Sequence, residues 1–178
     1  MRVLIAEHDY VVYTELLRKA APHIEVLSSG DSAELSKMAA QTPIWLGQPD
    51  LLANLLRQGH KPKWLQSTWA GITPLLAAGL NREYRLTRAV GIFGQVMAEF
   101  VLTYMLIHER EVLARLVSQV ERKWDDRPSQ SLAGRKALIV GTGDVGVSVA
   151  RFLQPFGVEV YGVASSARTQ EPFVEVGT

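Results

Sequence analysis

The sequence contains no cysteine, and that single absence removes disulfide staples, thiol nucleophiles and cysteine metal sites together. It also lacks an excess of either charge: nineteen Lys and Arg stand against eighteen Asp and Glu, for a net of +1. With no basic run and no interleaving of basic and aromatic residues, nucleic acid is not an expected partner. Long apolar runs are missing as well. The longest, from Val96 to Ile107, is interrupted by Glu99 and is shorter than the ~20 residues a bilayer requires, so no membrane partner is expected. Met1-Arg2 leads straight into Val3-Leu4-Ile5-Ala6 without a signal-peptide pattern, and the expected location is cytoplasmic. There is no internal repeat and no low-complexity tract. What is present is 178 residues, 47% of them hydrophobic, enough for one large core or two small ones.

The most informative stretch is Lys136-Ala137-Leu138-Ile139-Val140, an apolar strand that runs directly into Gly141-Thr142-Gly143-Asp144-Val145-Gly146. In this G-x-G-x-x-G spacing Gly141 permits the tight turn off the strand. Gly143 lets the backbone approach a pyrophosphate, and Gly146 lets the following helix pack on the sheet. That helix, about Asp144 to Leu153, aims its N-terminal amides and the positive end of its dipole at the same pyrophosphate. Glycine-rich turns are common, and a purely structural strand-to-helix turn is the plain alternative. The preceding strand, the Val145/Val147/Val149/Ala150/Phe152/Leu153 pattern and a second parallel strand at Val158–Val163 supply the context that a dinucleotide site needs.

Nucleotide choice belongs to the end of that second strand, where NAD-binding versions place an Asp or Glu on the ribose 2′-OH. This sequence has Ala164 there, followed by Ser165, Ser166 and Arg168. No carboxylate repels a 2′-phosphate, while two hydroxyls and a guanidinium can bond one, which favours NADP(H) over NAD(H). An ordinary polar loop is the alternative for these residues.

Upstream, strand-like and helical runs alternate. Strands are expected at Arg2–Glu7, Ile24–Leu27, Pro43–Leu46, Lys63–Ser67 and Tyr84–Val90. Helices are expected at Tyr10–Ala20, with Val11, Leu16, Leu17 and Ala20 for one face, and at Ser32–Ala40, capped by Asp31 or Ser32. Further helices are expected at Pro49–Leu56 and near Pro74–Ala78. Strands separated by helices imply a parallel sheet covered on both faces. The fold class is therefore α/β: a flavodoxin-like domain over residues 1–94, then over 95–178 the first part of a Rossmann dinucleotide-binding domain. One long helix is expected from Gln95 to Lys123, apolar at its start and charged at its end, closed by the polar loop Trp124–Ser131 with Pro128.

Taken together, this order resembles the D-isomer-specific 2-hydroxyacid dehydrogenases, particularly the branch that reduces glyoxylate and hydroxypyruvate. The likeness is carried by Trp64-Leu65-Gln66-Ser67-Thr68-Trp69-Ala70-Gly71-Ile72, by Gly91-Ile92-Phe93-Gly94-Gln95-Val96-Met97-Ala98-Glu99-Phe100, and by Leu132-Ala133-Gly134-Arg135-Lys136 leading into the glycine motif. It spans nearly the whole chain. The resemblance implies that the loop after the fourth strand holds the substrate carboxylate through backbone amides, a task that falls here to Trp69, Ala70 and Gly71. A turn of small residues suits that task, since exposed amides form an anion-binding concavity; a plain turn with Trp69 as packing is the alternative. Gly94–Glu99 would be the crossing into the nucleotide domain, and Glu99 serves the dipole or an interface hydrogen bond there rather than catalysis.

The resemblance further implies hydride transfer between a nicotinamide and C2 of a small 2-oxo acid, assisted by an Arg on the carbonyl and a Glu-tuned His as proton donor. Those groups belong to the second half of the nucleotide domain, which would require roughly 100 further residues beyond Val163. The four histidines, His8, His23, His60 and His108, all precede the glycine motif, and Asp125-Asp126 reads as a solvated pair. No catalytic residue is therefore assigned, and no metal. The chain is expected to be a C-terminally truncated member of the family, inactive by itself, with a parallel sheet cut at its second strand and a homodimer covering the exposed apolar faces. Two other readings stay open. One is a non-catalytic module that senses dinucleotide or mediates protein contacts; the other is a different two-domain enzyme such as a formate or alanine dehydrogenase, against which the loop at Trp69 speaks.

Overall fold

Five short strands build the first of two units into which the chain divides, Met1–Ala89 and Val90–Thr178; the computed structural model describes every residue from Met1 to Thr178. They are β1 (Arg2–Ala6), β2 (Glu25–Ser28), β3 (Ile44–Gly47), β4 (Trp64–Ser67) and β5 (Arg85–Thr87). All pair in parallel in the order β2-β1-β3-β4-β5, the flavodoxin-like arrangement. Central β1 is buried from Val3 to Ala6, as a strand in the middle of a parallel sheet covered on both faces must be.

Helices α1 (Tyr10–Ala20), α2 (Ser32–Ala39) and α3 (Pro49–Arg57) form the crossovers. Asp31, and not Ser32, caps α2, its carboxylate accepting from the amides of Ala33 and Glu34. α3 opens with Pro49 and carries Asp50 in its first turn, which suits both the missing donor and the dipole. Its Leu52, Leu55 and Leu56 pack with Leu4, Trp45 and Leu65, each buried leucine contributing about 1.5–3 kcal/mol. The Trp45 indole N–H donates to the Thr42 carbonyl at 2.8 Å, so its burial leaves no donor unpaired.

Three expectations change in this unit. Val11 and Leu16 of α1 do not face inward, being 54% and 59% exposed; the buried residue is Thr14, whose hydroxyl donates to Ser28 Oγ at 3.0 Å. The polar pair, rather than the apolar stripe, docks α1 beside β2. The segment near Pro74–Ala78 is a single 3-10 turn, Thr73–Leu76, with Gly79 close behind in the left-handed region at φ +81°. The strand expected over Tyr84–Val90 shrinks to the three residues of β5, an edge with β4 as its one neighbour.

The second unit contains α4 (Gly94–Glu109), α5 (Val112–Val120), β6 (Lys136–Val140), α6 (Asp144–Leu153), β7 (Glu159–Val163) and β8 (Val176–Gly177). β6, β7 and β8 pair in parallel in that order. Its core joins Ala98 of α4 to Val149, Ala150 and Leu153 of α6, Val160 of β7, and Phe173 and Val176. The sheet therefore does not stop at its second strand: burial of Phe173 and Val176 brings the chain back, and Val176 pairs with Gly162. No helix is long and apolar enough to cross a membrane.

The single helix expected from Gln95 to Lys123 is two helices. Between them Glu111 takes left-handed angles, φ 49° and ψ 38°. Arg115 holds the break, its guanidinium donating to the carbonyls of Arg110 (3.2 Å), Asp125 (3.1 Å) and Arg127 (2.7 Å), so the loop after α5 folds back over the helix. Asp125 also departs from the solvated pair expected of it. Its side chain is 11% exposed and pairs with Arg127 at 2.6 Å and Arg115 at 3.8 Å. The hydrogen bonds from Arg127 hold its carboxyl well below the usual carboxylate range, and the same hydrogen bonding, then the Asp125 and Glu111 charges, raise the Arg127 guanidinium.

Candidate functional site

The strand-to-helix corner stands where the glycine spacing places it, with β6 ending at Val140 and α6 beginning at Asp144. Gly143 caps the helix without any side-chain hydrogen bond, which leaves the first-turn amides of α6 open to a ligand. A Cβ at Gly143 would meet nothing within 4 Å, whereas one at Gly146 would lie 2.1 Å from the Gly141 carbonyl oxygen. The first glycine thus keeps an approach clear and the second closes the corner, while Asp144 and Val145 stay exposed at the rim. This is the shape a diphosphate requires.

Thr142, at the centre of the corner, is 4% exposed. It is held from three sides. A Cβ at Gly162 of β7 would come within 2.4 Å of its methyl group, so a glycine inside that strand marks close approach. Its carbonyl accepts from Gln170 Nε2 at 2.9 Å, and its hydroxyl accepts from the Arg168 guanidinium. Arg168 also donates from Nε to Gln170 Oε1 at 2.8 Å and from Nη1 to the Ser166 carbonyl at 3.3 Å. The loop after β7 therefore lies against the glycine corner: Arg168 is brought to it directly, and Ser165 and Ser166 are exposed beside it. Gln170 and Gly162 were not singled out by sequence reasoning. A glycine interrupting an apolar strand was a readable signal for Gly162; Gln170 offered none.

In the first unit the loop Thr68-Trp69-Ala70-Gly71 leaves the C-terminal end of β4, the side of an open parallel sheet where ligands bind. The Trp69 amide is engaged, donating to Ser67 Oγ at 3.1 Å, and the Ser67 hydroxyl donates back to the Trp69 carbonyl at 2.9 Å. Arg88 donates to the Ala70 carbonyl at 2.7 Å. Gly71 is exposed and open, with nothing within 4 Å of a Cβ there, and the Trp69 ring is 53% exposed. Of the three residues expected to hold a carboxylate, Ala70 and Gly71 are the ones whose amides the loop leaves available. The Thr68 hydroxyl donates to Glu7, buried at the end of β1. Burial first, then the Glu7 and Asp9 carboxylates, push the nearby Tyr13 phenol above its ordinary range.

The histidines do not assemble a proton-transfer site. His8, His23 and His108 are exposed, and His60 is hydrogen-bonded to Ser36 at 2.8 Å with its ring edge-on to Trp45. Glu99 accepts from Gln95 one turn earlier on α4. No group of three or more His, Asp or Glu side chains is placed to hold a metal.

Comparison with known proteins bears on both units. Residues 102–178 match the family described as D-isomer specific 2-hydroxyacid dehydrogenase, NAD binding domain. A D-isomer specific 2-hydroxyacid dehydrogenase family protein from Aeromonas salmonicida superposes with a TM-score of 0.89 at 35% identity, over 98% of this chain and 57% of its own. The NADPH-dependent glyoxylate/hydroxypyruvate reductase of Sinorhizobium meliloti, solved with NADP and sulfate, superposes with a TM-score of 0.76 at 23% identity, over 99% of this chain and 55% of its own. An uncharacterised Streptomyces coelicolor protein from the mprR 3′ region is 31% identical over 108 residues, 61% of this chain and 39% of that protein. The chain thus spans little more than half the length of these solved relatives.

Proposed function

We propose that the chain is a member of the D-isomer specific 2-hydroxyacid dehydrogenase family, supported by the match of residues 102–178 to that family's NAD binding domain and by the 35% identical A. salmonicida structure, and that it serves an NAD(P)-dependent oxidoreductase of small 2-oxo acids of the glyoxylate or hydroxypyruvate type. A bound nicotinamide nucleotide would supply the hydride, and the residues of the glycine corner and of the loop after β4 would bind and orient. Gly143 and the first-turn amides of α6 receive the diphosphate, and the amides of Ala70 and Gly71 receive the substrate carboxylate. Ser165, Ser166 and Arg168, with no carboxylate among them, favour NADP(H), in keeping with the nucleotide of the S. meliloti enzyme. The observation that carries the reading is the glycine corner, open at Gly143 and closed at Gly146.

We further propose that these 178 residues bind nucleotide without turnover, because no histidine follows Gly146 to give a proton. The same observation favours a second reading, a dinucleotide-sensing or protein-interaction module. A homodimer through α4 and α5 is proposed as the assembly. Titration with NADPH and NADH, followed by addition of glyoxylate and hydroxypyruvate, tests the set. The expected result is tighter binding of NADPH and no oxidation of it. Clearly tighter NADH binding would defeat the phosphate reading, and steady turnover would defeat the proposal that these residues are inactive alone.

A further inference from the structure

Arg168 is not a free surface arginine. Of the five N–H donors of a guanidinium, three are engaged: Nε with Gln170 Oε1, one Nη1 proton with the Ser166 carbonyl, one Nη2 proton with the Thr142 hydroxyl. One donor on each Nη nitrogen remains. Gln170 is what makes this arrangement rigid, because its amide acts at both ends. The oxygen holds Arg168, and the nitrogen donates to the Thr142 carbonyl inside the glycine corner at 2.9 Å. The backbone is pinned as well, the Arg168 amide donating to the Val176 carbonyl at 3.1 Å. An arginine already held in one rotamer surrenders less freedom on meeting a phosphate than one that swings in water, and its planar fork suits bidentate recognition.

We propose that Gln170, together with Thr142, is a positioning residue for nucleotide choice: the pair fixes the Arg168 guanidinium so that its two remaining donors face a 2′-phosphate. This rests on the NADP(H) reading given above and extends it from one side chain to a linked network. It also couples the two halves of the nucleotide site, since Thr142 belongs to the diphosphate corner and Arg168 to the ribose loop. A role confined to holding the loop together would weaken both nucleotides alike. A role in selection weakens only the one that carries the extra phosphate.

Calorimetric titration of the protein with NADPH and with NADH reads the difference. The expected wild-type preference for NADPH is about tenfold, the scale of a charge-assisted contact. Gln170→Met keeps the side-chain length but can neither accept from Arg168 nor donate to Thr142. It is expected to lower NADPH affinity roughly fivefold while leaving NADH within about twofold. Thr142→Val, nearly the same shape without the hydroxyl, is expected to lower the NADPH-to-NADH affinity ratio in the same direction, on top of any equal effect on both nucleotides at the diphosphate corner, and provides a second route should the first variant not fold. Arg168→Ala is expected to erase the preference. If the wild type prefers NADPH and both the Gln170 and Thr142 variants keep its ratio, the positioning role is overturned and the phosphate reading stands. A wild type indifferent to the 2′-phosphate overturns both.

Discussion

At the corner between β6 and α6, two glycines answer different demands. Gly146 is required by the protein itself: a methyl there would stand 2.1 Å from the Gly141 carbonyl oxygen, a backbone atom that cannot rotate away. Gly143 meets no such neighbour, and its φ of −79° and ψ of −164° are open to alanine. Gly146→Ala is therefore expected to destabilise the protein by roughly 1–3 kcal/mol, the range of an overpacked site. Gly143→Ala is expected to change stability by about 0.5 kcal/mol or less while reducing nucleotide affinity about tenfold or more, because its methyl fills the diphosphate approach. Urea denaturation paired with NADPH titration separates the two, and unaltered binding by Gly143→Ala would remove the diphosphate from this corner. The glycines were legible in the sequence because each reports a backbone demand that spacing alone encodes. The network through Thr142, Gln170 and Arg168 was not, since it exists only once the aperiodic segment after Ala164 turns back and buries Phe173.

Among the elements, α6 spans the residues its apolar pattern assigns, and β7 begins one residue later than expected, at Glu159. Strong periodicity beside a glycine punctuation leaves little room for error there. The break between α4 and α5 left no such mark, for the chain from Gln95 to Lys123 contains neither proline nor glycine. It is produced by tertiary contacts of Arg115 and Asp125 with the following loop. The ion pair of Asp125 with Arg127 gives that loop a pH signature. With the folded carboxyl held far below its unfolded value of about 4, the charged form contributes stability that is fully present above that value. The contribution is lost as pH falls toward the folded pKa. The gap in urea midpoint between wild type and Asp125→Asn is thus expected to be constant near neutrality and to narrow steadily from about pH 5 to about pH 2. A gap of equal size at both ends of that window would mean that the charge of Asp125 is not what holds the loop.

For the molecule as a whole, the unexplained quantity is apolar surface in the second unit. α5 buries none of its nine residues, and Leu113, Leu116, Val117 and Val120 are 66%, 51%, 59% and 84% exposed. On α4, Val96, Phe100 and Tyr104 are each more than half exposed, with the two rings 4.7 Å apart. An isolated helix of this length is not stable in water by its own hydrogen bonds, and this many exposed apolar side chains on two helices exceed the scattered exposure normal for a monomer. A second copy of the chain offers the same apolar side chains for a two-fold contact, in which each set covers its counterpart. Sedimentation is accordingly expected to give a dimer at micromolar concentrations, and the melting temperature to rise with protein concentration, as linked association requires. The double variant Leu116→Glu, Val120→Glu places charge on residues that touch no core, so it is expected to yield a folded monomer whose melting temperature no longer depends on concentration. A wild-type chain that sediments as a monomer throughout, with a concentration-independent melting temperature, would show that α4 and α5 tolerate this exposure and that the proposed homodimer does not form.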